Sequence, residues 1–96
     1  MRIVKIVKSD GTEQYFNVES FLKAYLSKVN SDAYIVFVEF SSNEVIQMNT
    51  NPVCSLKAAH LEHKFLALLL NPDVKMIAID ARNDGLVDKA IYIKRF

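Results

Sequence analysis

Apolar residues fall mostly in short runs separated by turn residues along this chain, and one long stretch departs from that pattern. Between Asn51-Pro52 and Asn71-Pro72 the apolar residues recur at three- and four-residue spacing: Cys54, Ala58, Leu61, Phe65, Leu68 and Leu69. That spacing predicts a helix from Pro52 to about Leu70. Asn51 is placed to cap it and Pro52 to open it, since a first-turn proline loses no hydrogen bond. Pro72 disfavours helical geometry at Asn71 and ends it. The run Phe65-Leu66-Ala67-Leu68-Leu69-Leu70 makes its last turns apolar nearly all round.

The rest reads as short elements. Ile3 to Lys8 is rich in β-branched residues and predicts a strand. Asp10-Gly11 suits a type I′ turn, which would set Lys8 opposite Glu13, Ile6 opposite Tyr15 and Lys5 opposite Phe16. Phe21, Leu22, Tyr25, Leu26 and Val29 then fall at helical spacing, with Asn17 or Ser20 as the cap, and predict a second, smaller helix. Ala33 to Phe40 is the clearest strand, with Ile35 and Phe37 on one face and Tyr34, Val36, Val38 and Phe40 on the other. Glu44 to Met48, Val74 to Ala81 and Leu86 to Arg95 complete the strands, the last two joined through Asp84-Gly85.

The order hairpin, helix, hairpin, helix, hairpin predicts an α+β fold: a mainly antiparallel sheet with both helices on one face, ββαββαββ. The alternative is a ferredoxin-like βαββαβ order with an extra strand. The 96 residues fit a single domain, and no composition break divides them.

Composition narrows the function classes. Half of the residues, 51%, are apolar, more than two layers of so small a domain readily hide. Association with a protein partner, or with a second copy as a dimer, is the expectation that follows. The surplus is placed at the end of the long helix, around Leu66, Leu69 and Leu70. A formal net charge of +1 gives no general attraction to nucleic acid or membrane. One cysteine excludes an internal disulfide. No apolar run approaches the roughly 18 residues of a membrane helix, and a cytoplasmic location is the expectation.

The residues that carry chemistry are sparse. Cys54 lies near the head of the long helix, where N–H groups stabilise a thiolate, so a cysteine-dependent enzyme is one reading. Its place in the packing stripe makes a buried apolar role the better one. His60 and His63 stand at i, i+3, but two ligands do not make a zinc site. Asp80, Asp84, Gly85 and Asp88 match part of a calcium loop, with Arg82 and Ile91 where oxygen ligands are needed. Phe37-Val38-Glu39-Phe40 matches the tail of an RNA-recognition strand without its glycine and leading cation. Arg2, Lys5 and Lys8 in the first strand and Lys89, Lys94 and Arg95 in the last would form a basic strip if those strands are neighbours, able to touch phosphates or to guard a sheet edge. The resulting expectation is a small non-catalytic interaction or regulatory protein, an inhibitor or adaptor, without metal or cofactor. Binding of RNA or single-stranded nucleic acid through the sheet face is the alternative.

Overall fold

The computed structural model describes residues 2–8, 10–81 and 91–93. Seven strands and one α-helix form among them: β1 (Ile3–Val7), β2 (Glu13–Asn17), β3 (Phe21–Asn30), β4 (Ala33–Phe40), β5 (Val45–Gln47), α1 (Ser55–Leu70), β6 (Met76–Asp80) and β7 (Ile91–Ile93). The strands make two sheets, one of order β2-β1-β6-β7 and one of order β3-β4-β5. All neighbours are antiparallel except β1 and β6, which run parallel. The class is α+β, as the alternation of elements implies. The arrangement of two helices on one sheet is not what forms, and the ferredoxin-like order fails for the same reason.

The missing helix is the segment from Phe21 to Val29, which is β3. Asn17 does cap a helical turn, its Oδ1 accepting from the Glu19 N–H at 3.0 Å, but that turn is a 3-10 turn of three residues, Val18–Ser20. The chain then extends. A bulge between Phe21 and Lys23 shifts the alternation by one residue, so Phe21, Ala24 and Leu26 all pack against the core. A strand with such a bulge shows apolar residues three apart, the spacing that otherwise marks a helix.

The first hairpin forms with its register moved by one residue: Val7 faces Glu13, Ile6 faces Gln14, Lys5 faces Tyr15 and Val4 faces Phe16. Gly11 takes a positive φ of 87°. The Asp10 carboxylate accepts from the Thr12 N–H at 2.9 Å and its hydroxyl at 2.6 Å, and the Lys8 N–H donates to Thr12 O at 2.8 Å. The wider loop puts Val4 and Phe16 on the core face together.

The long helix starts at Ser55, later than Pro52, because Val53 is held extended. It exchanges backbone hydrogen bonds of 2.7 and 3.0 Å with Tyr34 in an isolated bridge. Asp32 Oδ1, from the β3–β4 turn, accepts the Ser55 N–H at 3.1 Å. The end at Leu70 agrees with the sequence. Strand β6 is trimmed to Met76–Asp80. The Asp84-Gly85 turn and most of the last expected strand lie outside the described residues.

The core sits between the two sheets and α1. Val4, Ile6, Ile77 and Ile79 come from the first sheet, Val36, Val38 and Phe40 from the second, and Ala58, Leu61 and Phe65 from α1, all without exposed surface. Phe40 stacks on Phe16 across the sheets with centroids 4.0 Å apart and planes 7° off parallel. Asn49, also without exposed surface, continues the β5 side of β4 with its side chain. Its Oδ1 accepts from the Val36 N–H at 2.9 Å, and its Nδ2 donates to Tyr34 O at 3.2 Å and Asn51 O at 2.8 Å.

Candidate interaction surface

Strand β4 has a closed side and a side given wholly to β3. On the closed side Val36 O accepts from the Met48 N–H at 2.8 Å, the Phe40 N–H donates to Glu44 O at 3.1 Å, and Tyr34 bonds Val53. Peptide groups alternate in direction along an antiparallel strand. Ile35, Phe37 and Glu39 therefore turn theirs toward β3, where their register partners are Ser27, Tyr25 and Lys23. The residues between, Ala24, Leu26 and Lys28, direct their N–H and C=O groups away from β4. Among the described residues no strand lies on that side and no other backbone group takes these donors and acceptors.

This open edge is bracketed. Leu22 and Val29 fall in the two bulges of β3 and are 60% and 59% exposed, an aliphatic side chain at each end. Between them the sheet's outer face carries Tyr25, which stacks on Phe37 with centroids 5.6 Å apart. Lys23 lies 5.4 Å from the centre of the Tyr25 ring and 3.4 Å from Glu39. On the core side the apolar layer thins at the edge. Val36 and Val38 are completely buried on β4, whereas their partners Leu26 and Ala24 on β3 are only partly covered.

The residues singled out by sequence are scattered. Arg2 faces the carbonyls at the end of α1: its Nε donates to Val74 O at 2.8 Å, and its Nη2 to Leu68 O at 3.1 Å and Asn71 O at 2.7 Å. A guanidinium suits this place, since it satisfies carbonyls that a helix end leaves open and opposes the negative end of its dipole. Lys5 is buried and pairs with Glu13 at 2.6 Å. Lys8 is half-buried beside a cleft of about 180 Å³ at the carboxyl ends of β1 and β6, lined also by Val45, Ile46, Gln47, Thr50 and Ala81. The three first-strand cations thus have three different surroundings. Lys89, Lys94 and Arg95 lie outside the described residues, as do Asp84, Gly85 and Asp88 of the calcium-like pattern.

At the end of α1, Leu69 is buried and Leu66 packs against the core, while Leu70 is 80% exposed. Cys54 is half-buried immediately before α1, and its side chain makes no capping hydrogen bond. His60 and His63 lie exposed on the helix, and no three potential metal ligands come together among the described residues. The two aromatics of Phe37-Val38-Glu39-Phe40 part company: Phe37 lies on the outer face and Phe40 in the core. The 180 Å³ cleft falls below the roughly 300–1,000 Å³ usual for small-molecule pockets. A wider hollow of about 400 Å³ borders Arg2, Asn17, Val18 and Glu19, and among the described residues its one cation is the guanidinium already facing three carbonyls.

Sequence reasoning missed the β3 edge because it placed a helix there. The signal available was the pair Lys23 and Lys28 around a β-prone Tyr25 on a segment without an acidic residue. Comparison with protein-family models, with curated proteins and with solved structures returned no match for the chain.

Proposed function

We propose that the protein is a non-catalytic interaction module that holds an extended segment of a partner protein along β3. The observation that carries this reading is the row of outward peptide groups at Ala24, Leu26 and Lys28 on a ten-residue strand that, among the described residues, is paired on one side only. An added strand completes that ladder, each new backbone bond contributing a net ~0.5–1.5 kcal/mol. Leu22 and Val29 supply apolar contact at the ends. A partner other than a second copy fits better, because two β3 edges joined to each other gather four lysines, Lys23 and Lys28 of each copy, on one ribbon.

The test is capture of partners from an extract of the native host by the wild type and by Ala24→Pro. The proline removes an outward N–H and leaves the β3–β4 ladder whole, a placement edge strands tolerate. N-methylation at Ala24, introduced by chemical synthesis, removes the same donor without the ring. A partner retained by the wild type and lost by both variants, at unchanged circular dichroism, supports the reading. Equal capture by all three overturns it.

A second reading rests on the Tyr25–Phe37 pair with Lys23 beside it, a surface on which a base stacks. It requires binding of single-stranded RNA that weakens steeply with salt. Absence of such binding at low ionic strength removes it.

A further inference from the structure

We infer that the occupant of the β3 edge is a six-residue stretch of another protein with a carboxylate at each end and apolar side chains at its third and fifth positions. This rests on the reading of β3 as a docking edge. Unbroken register on β3 runs from Lys23 to Lys28, six residues, and a bulge interrupts it at either side. The bulges set the length, since a longer partner strand loses its alignment with the edge there. Antiparallel addition is the more stable of the two directions per residue. It sets the first residue of the segment opposite Lys28 and the sixth opposite Lys23.

Side-chain chemistry then follows position by position. Lys28 is exposed and makes no ion pair among the described residues, and Lys23 has 65% of its side chain exposed. Carboxylates opposite both complete two cross-strand charge pairs. The third and fifth residues fall opposite Leu26 and Ala24, on the side where the apolar layer is left incomplete, and extend it with apolar side chains. The fourth lies opposite Tyr25 on the outer face and suits a β-branched or aromatic residue. The lysines also exclude competitors. A second copy of β3 meets like charge, and a basic segment does too. A nucleic-acid backbone neutralises the lysines but brings no N–H donors to the outward carbonyls of Ala24, Leu26 and Lys28, whereas a peptide offers donor and acceptor in alternation.

The probes are two blocked hexapeptides, Glu-Thr-Val-Tyr-Val-Glu and the same peptide with lysine at both ends, titrated into the isotope-labelled full chain. The expected result is displacement of the Ala24, Leu26 and Lys28 amide signals by the acidic peptide. Its affinity exceeds that of the lysine-ended peptide about tenfold, the effect of two cross-strand charge pairs. The ratio shrinks as salt rises, and Lys28→Glu reduces or reverses it. Equal affinities at those amides overturn the charge rule and leave the edge reading standing. If neither peptide moves them, the inference falls, and the capture experiment with Ala24→Pro judges the edge reading by itself.

Discussion

Asn49 sits among Met48, Thr50 and Asn51, a neighbourhood that reads as loop, yet it has no exposed surface and all three of its hydrogen bonds go to backbone. Its side chain stands in for a strand residue beside β4. Asn49→Ala leaves the Val36 N–H and two carbonyls without that partner, and a loss of about 3 kcal/mol in urea unfolding is expected. A loss below about 1 kcal/mol would show that other groups or water replace it. Asp10 offers a pH-dependent counterpart at the surface. The Thr12 hydroxyl, and after it the Thr12 N–H, hold its carboxyl below the ordinary value near 3.8. A depressed folded value means stability that is present above the unfolded pKa and lost as pH falls through the folded one, so this contribution disappears only on the acid side of 3.8. Thr12→Val should raise the Asp10 midpoint in an NMR titration; an unmoved midpoint would contradict the hydroxyl's role. The role of Asn49 was not legible beforehand, since it acts through backbone groups that a side-chain pattern does not reveal, whereas Asp10 was legible as a turn residue but not in its bond to the Thr12 hydroxyl.

At the scale of elements, legibility followed locality. The apolar, β-branched and aromatic run of Ala33 to Phe40 and the stops at Asn71-Pro72 are local signals, and β4 and the end of α1 lie where they point. The start of α1 and the whole of β3 were misread because distant contacts decide them: the Tyr34–Val53 bridge keeps the chain extended to Cys54, and eight residues of β3 find register partners on β4. Hydrogen exchange distinguishes a strand from a helix at Phe21–Asn30 without reference to any ligand. Lys23, Tyr25 and Ser27 should exchange slowly and Ala24, Leu26 and Lys28 rapidly, a period-two pattern. Continuous protection across these six amides would instead indicate a helix or a covered edge. Bound partner should slow the rapid set selectively.

Across the whole molecule, two sheets and a helix share one core, and the aromatic contact between the sheets runs through Phe40. It stacks on Phe16 and meets Phe21 edge-on at 6.5 Å. Phe40→Ala should lower stability by about 3–5 kcal/mol, a large part of the ~5–15 kcal/mol typical of a domain. Far- and near-ultraviolet signals should still report one coincident urea transition, as expected of a shared core. Two separate transitions would mean that the sheets unfold independently. The parallel pairing of β1 with β6 was invisible to a reading built from hairpins, because nothing near either strand announces a partner some seventy positions away.

That pairing also has a meaning in time. During synthesis, β1 and β2 leave the ribosome early and are able to close their hairpin at once, but the other side of β1 waits for β6. Until Met76–Asp80 emerge, Ile3–Val7 presents a row of unmet peptide groups on an apolar ribbon, and the nascent chain needs shelter or speed at that stage. The β3 edge, open among the described residues, carries two lysines and two bulges, whereas the transient one at β1 has only Lys5 within it. The vulnerable period of this protein's life therefore belongs to its first strand, and ends when the sixth arrives.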